Sequence, residues 1–217
     1  VLVRSYFMEQ QQKRAKPYKL IIACIMLVGF VAVGAVVAYK WQPIMHKVRS
    51  ATNTSDIDRT RGEAEFPQVD TSQLSPVRQR ILSLAKTEFE AQNKGTKYSE
   101  GTEEAWCADF VSWVMREAGA PLKNGNTGGW RIPGTFTLQE YYESIGKFQK
   151  AGNGYQPKPG DVAMYNGSPI FGDHTNIVVQ NNDGALVTVG GNEDGRIRVY
   201  NNTKKDYDGL LGYGVVD

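Results

Sequence analysis

The sequence predicts an α+β domain, with N-terminal helices packed on an antiparallel β-sheet, preceded by one transmembrane helix. Three observations carry this expectation. An uncharged apolar run extends from Leu20 to Tyr39, two amphipathic helical patterns lie between 76 and 118, and short β-branched and aromatic runs separated by turn residues follow Pro157. Helices in one block and strands in the next describe a sheet with its helices gathered on one face.

The first 19 residues are basic, with Lys13, Arg14, Lys16 and Lys19 close to the apolar run, and are read as a cytoplasmic tail. A helix over 20–39 rises about 30 Å, the thickness of a hydrocarbon core. Lys40, Trp41, Lys47 and Arg49 bracket its far side, so basic and aromatic anchors stand at both ends. A cleaved secretory signal is the alternative, because Val36, Val37 and Ala38 offer small residues, but the stretch exceeds the roughly 7–15 apolar residues of such signals. The expected product is a single-pass membrane protein with its folded domain outside the cell. Residues 40–75, rich in Ser, Thr, Asp, Arg and Gln without a hydrophobic period, read as a flexible linker.

Order is expected from Ser75-Pro76, an N-cap followed by proline in the first turn. Val77, Ile81, Leu84, Ala85 and Phe89 then fall on one helical face, and Asn93-Lys94-Gly95 ends the helix. A second helix is expected from Glu103 to Ala118, with Thr102 as N-cap, Cys107, Phe110, Val111, Val114 and Ala118 on one face, and Gly119 and Pro121 as the stop. The Gly- and aromatic-rich stretch 122–154 shows a short helical pattern only near Leu138–Ile145. Strands are predicted at 162–165, 175–180, 185–189, 196–200 and 211–216. A single domain over 76–217 fits the length of 217 residues.

The charge pattern excludes one class. Residues 1–75 carry 10 Lys/Arg against 6 Asp/Glu, whereas 76–217 carry 15 against 17, so the folded part is slightly acidic and unsuited to nucleic acid. The two cysteines are Cys24, inside the apolar run, and Cys107. Cys107 therefore has no partner for a disulfide within the domain, and its thiol is either inert and buried or reactive.

Cys107 sits early in a helix, where free N–H groups and the dipole favour a thiolate. His174 is the only histidine of the folded part, because His46 lies in the linker. The turn Asn181-Asn182-Asp183-Gly184 marks a hairpin. With Asp183-Gly184 as a two-residue loop, His174 falls opposite Glu193; with all four residues in the loop, it faces Gly191. Either register brings Asn192 or Glu193 within reach of the imidazole, as a third residue that fixes tautomer and orientation, and a slip of one residue exchanges the two.

Trp106-Cys107-Ala108-Asp109-Phe110-Val111-Ser112-Trp113, Pro159-Gly160-Asp161-Val162-Ala163, His174-Thr175-Asn176-Ile177-Val178 and Gly191-Asn192 together resemble the CHAP family of cysteine- and histidine-dependent amidohydrolases and peptidases. These enzymes act on bacterial cell walls. The resemblance covers roughly 76–217 and implies a papain-like fold. It also implies Cys107 as nucleophile, His174 as base and Asn192 as the orienting residue. Many members carry a Glu where this chain has Gly190, so an acidic contribution is missing or falls to Glu193. Some phage members hold calcium through alternating aspartates before the cysteine. Glu100, Glu103, Glu104 and Asp109 do not reproduce that pattern and read as a helix start and a solvated loop. The related NlpC/P60 peptidases, with Asp-Cys-Ser-Gly and a second histidine, fit less well.

The function expected on this reading is cleavage of a peptidoglycan amide bond, as amidase or endopeptidase, with no metal or organic cofactor. Trp106, Trp130, Tyr141 and Tyr142 are candidates for the walls of the substrate groove, while Asp161 is expected to hold a turn. A catalytically inactive wall-binding module is the alternative from another class.

Overall fold

The computed structural model describes residues 63–168, 170–202 and 208–217. The expected basic tail, transmembrane helix and first part of the linker lie outside the described residues. No helix among the described residues is long and apolar enough to cross a membrane.

The elements in chain order are β1 (Glu63–Ala64), α1 (Pro76–Ala91), a short 3-10 turn (Gly95–Lys97), α2 (Cys107–Glu117), α3 (Thr135–Ser144), β2 (Phe148–Lys150), β3 (Val162–Ser168), β4 (Gly172–Asn182), β5 (Ala185–Glu193), β6 (Arg196–Asn202) and β7 (Leu210–Gly214). The strands form one sheet in the order β1-β6-β5-β4-β3-β7-β2, and every neighbouring pair is antiparallel. The α+β architecture with three helices on the sheet is the one the sequence predicts.

α1 starts where its signals place it, with Ser75 Oγ accepting from the Arg78 N–H at 3.4 Å. Its end at Gln92, in the left-handed region with φ 50°, precedes the expected breaker by one residue. Ile81, Leu82 and Ala85 are buried, and Val77, Leu84 and Phe89 pack at the margin of the core. The chain before α1 is not a free tether up to Ser75. Residues 63–64 pair with β6, Phe66 stands 6.0 Å from the Phe89 ring, and Val69 and Leu74 pack on the core. These three apolar side chains are too widely spaced to show a period, so the sequence reads as solvated although each is anchored.

Two faces of the sheet are covered. On the helix side, Val111 and Val114 of α2 join Met164, Ile177, Val189 and Val199 in the main core. The opposite side holds a smaller cluster of Ala163, Tyr165, Val178, Leu186 and Tyr213. Burial on both faces explains why 162–165 and 175–179 read as unbroken runs rather than alternating ones. The hairpin between β4 and β5 has Asp183-Gly184 as its two-residue loop, with Asn182 opposite Ala185. Both loop residues have positive φ, 52° and 90°, as a type I′ turn requires.

Asp161 holds a turn, as expected, and is fully buried. Its carboxylate accepts from Arg78 Nη2 at 2.8 Å, Tyr155 Oη at 2.7 Å and the Lys158 N–H at 2.8 Å. Arg78, itself 3% exposed, also donates to the Pro159 carbonyl at 2.7 Å and meets Asp217. This pair ties α1 to the start of β3. Arg78→Met strands a buried carboxylate and should lower stability by about 3–5 kcal/mol in urea denaturation. A loss below about 1 kcal/mol would show that the remaining donors satisfy Asp161 alone.

Candidate active site

α2 begins at Cys107, four residues later than its sequence pattern suggests. Thr102 is not its cap; its N–H donates to the Ser99 carbonyl at 3.2 Å in a preceding turn. Trp106 occupies the cap position without a side-chain bond, at φ −106° and ψ 21°. The reason for the late start is packing. A Cβ on Gly95 would stand 2.3 Å from the Trp106 ring, and one on Gly191 2.5 Å from it, so two glycine backbones clamp the indole. Tyr98 stacks on the same ring at 5.3 Å. Trp106 is thus a core residue, 6% exposed. Its wedge places Cys107 at the first helical position, where the N–H groups lack intrahelical partners.

His174 is near the start of β4, opposite Tyr165 of β3. Strand alternation from Ile177, a residue of the helix-side core, places His174 on the other face of the sheet. The histidine and the thiol meet because the β4–β5 ladder runs only from Asn182/Ala185 to Ile177/Val189, with a register shift between Val178 and Gln180. Beyond that ladder, Trp106 and Phe110 lie against Gly191. The site therefore occupies the point where two strands part.

A third residue completes it. His174 Nε2 is 3.0 Å from Glu193 Oε1, both side chains buried, which leaves Nδ1 for Cys107. Asn192, the orienting residue the resemblance implies, is half-buried with φ 61°, and among the described residues its side chain makes no hydrogen bond to the imidazole. The two-residue turn alone would set Glu193 opposite His174. The shift in β4 moves that register by one, and a second irregularity between Gly190 and Glu193 brings the carboxylate back to the ring.

The electrostatics couple the three groups. Burial alone would keep the Cys107 thiol protonated, but the charge and hydrogen bond of His174 and the N–H groups of Thr175 and Ala108 bring it below its ordinary value. Burial alone would favour a neutral His174, yet the Cys107 thiolate first, and Glu193 next, raise it to about 10. Burial holds the Glu193 carboxyl above its ordinary value, and the imidazole offsets only part of that rise. Between the lowered thiol and the raised imidazole, the favoured species is a thiolate–imidazolium pair.

Each of the other aromatic residues expected in the groove packs against a neighbour. Trp130 is half-buried under the Arg116 guanidinium, 4.0 Å from the ring centroid. Tyr142 is buried against Gly214, and Tyr141 is half-buried with its ring 5.2 Å from that of Tyr142.

Several residues of the site carried no sequence signal. Phe171 stacks on the His174 ring at 5.5 Å and 16° and limits its rotation. Gly190 has a steric role: a Cβ there would stand 2.1 Å from Glu193 Oε1 and 2.9 Å from His174 Nε2. Asp109 stands in the first turn of α2, fully buried, and Glu104 lies on the loop before it, 26% exposed; both meet Arg131, a contact that the sequence does not signal.

The fold and site define an α+β domain with a buried thiol, imidazole and carboxylate in line at the head of a helix. Residues 97–192 match the family model of the CHAP domain, whose members are generally peptidoglycan hydrolases. The matched span includes Cys107 and His174 and ends one residue before Glu193. No curated protein matches the chain.

Gly190→Ala should push Glu193 off the ring and lower the His174 pKa by about one unit, followed by the imidazole proton shifts in an NMR pH titration. An unchanged titration would show that Glu193 does not hold the imidazole.

Proposed function

We propose that this protein is a cysteine hydrolase that cleaves an amide bond in the peptide part of peptidoglycan, as amidase or endopeptidase. The observation that carries the reading is the coupling of Cys107 to His174, with Glu193 behind the imidazole. The family match supplies the substrate class.

The chemistry follows from the positions. The Cys107 thiolate attacks the amide carbonyl carbon, and the oxyanion is met by the N–H groups at the head of α2. The His174 imidazolium gives its proton to the leaving nitrogen, the C–N bond breaks, and a thioester remains. His174, now neutral, takes a proton from water, the hydroxide attacks the thioester, and the acid leaves as Cys107 returns to the thiolate paired with the imidazolium. Glu193 Oε1 beside Nε2 fixes the ring with Nδ1 toward the sulfur. No residue of this scheme calls for a metal or an organic cofactor.

The apolar run 20–39, with basic and aromatic anchors at both ends, supports a single-pass anchor, and a peptidoglycan substrate calls for the domain on the outer side. The wall peptide and the membrane are the partners this reading assigns.

The test is mass spectrometry of purified peptidoglycan incubated with the full chain or with Cys107→Ala. New amino and carboxyl termini should appear with the native chain, identify the bond cut, and be lost by at least about 10³-fold in the variant. Equal products from both would remove the cysteine mechanism. Wall binding retained by both without any product would mark a binding module.

A further inference from the structure

The head of α2 presents a structural problem that the mechanism leaves open. Cys107 needs a fixed position, yet the helix has no side-chain cap, because Trp106 makes no capping bond. A missing cap ordinarily leaves the first turn of a helix less stable. The chain on either side of the nucleophile is instead joined to one side chain. Arg131 Nη2 meets Glu104, three residues before Cys107, and Arg131 Nε lies 2.8 Å from Asp109 Oδ1, two residues after it.

Arg131 is itself anchored. Asn124 Nδ2 donates to the Arg131 carbonyl at 2.8 Å, while Asn124 Oδ1 accepts from the Asn126 and Thr127 N–H groups. On the other side, the Ile132 N–H donates to Ser112 Oγ at 3.1 Å, and Ser112 belongs to α2. The glycine-rich loop 119–134 thus returns its arginine to the same helix whose first turn it spans. Asp109 has no exposure and no hydrogen bond to either carboxylate oxygen. Burial, and then the charge of Glu100, push its carboxyl up to about 7, and the Arg131 guanidinium is its ion-pair partner.

We propose that Arg131 is a positioning residue for the nucleophile: its guanidinium bridges Glu104 and Asp109 and so holds the segment that carries Cys107 against His174. The inference rests on Cys107 being the nucleophile, and not on the identity of the substrate. Its geometry needs a fork. Two nitrogens of one planar group reach two carboxylates on opposite sides of Cys107, which a single ammonium does not reproduce.

The rate of Cys107 alkylation by iodoacetamide against pH, together with the thermal midpoint, tests this in the full chain without substrate. Arg131→Gln and Arg131→Lys should both lower the rate at neutral pH about tenfold and move the profile to higher pH. The double variant Arg131→Gln/Asp109→Asn, which no longer strands a buried charge, should recover the midpoint but not the rate. Full rate in Arg131→Lys would show that charge alone matters, and full rate in the double variant would show that Arg131 only neutralises Asp109; either overturns the proposal. If Arg131→Gln does not fold, the double variant alone decides by the same criterion. An ordinary thiol profile in the native chain would instead contradict the Cys107–His174 reading, an outcome separate from failure in the variants.

Discussion

A thiol and an imidazole buried together, each shifting the other's proton affinity, is the interaction on which the rest of this structure depends. Isolated in a low-dielectric interior, either group would be neutral at pH 7. Together they favour opposite charges, and the helix head and the Thr175 N–H stabilise the anion while Glu193 stabilises the cation. The pair also links stability to pH with offsetting signs. A raised His174 contributes stability that is present below its unfolded pKa and lost as pH rises through about 10. A lowered Cys107 contributes stability that is present above its unfolded pKa and lost as pH falls through the folded one. In the window between, one proton has moved and few are gained or lost overall.

Bringing the two groups together requires departures from regular structure. His174 belongs by alternation to the face of the sheet away from the helices, so a continuous β4–β5 ladder would separate it from α2. The ladder stops at Ile177/Val189, and glycines at 190 and 191 admit the Glu193 carboxylate and the Trp106 ring at distances that no Cβ tolerates. Helix, sheet and third residue thus meet at one interruption, and the glycines there serve close approach rather than flexibility.

Much of this was legible in the sequence. Ser75-Pro76 and Asp183-Gly184 placed α1 and the central hairpin, since caps and type I′ turns are local in origin. Cys107 and His174 followed from elimination among few chemically able residues. The start of α2 was misread because Glu103 and Glu104 suit a helix dipole, while the clamp on Trp106 that delays the helix involves residues 11 before and 85 after it. Glu193 and Asn192 could not be separated, because two register shifts act in succession and neither has a local signature. For Trp106, Trp130 and Tyr141 the sequence offers only aromatic character as a groove signal, which packing uses as readily as binding does.

The pair itself is most directly measured by thiolate absorbance in the ultraviolet, recorded against pH as the difference between the native chain and Cys107→Ser. A thiolate step well below the ordinary cysteine range, lost when His174 is replaced by Ala, is the result the account predicts. A single step at or above the ordinary cysteine value, unchanged by removal of His174, would contradict it.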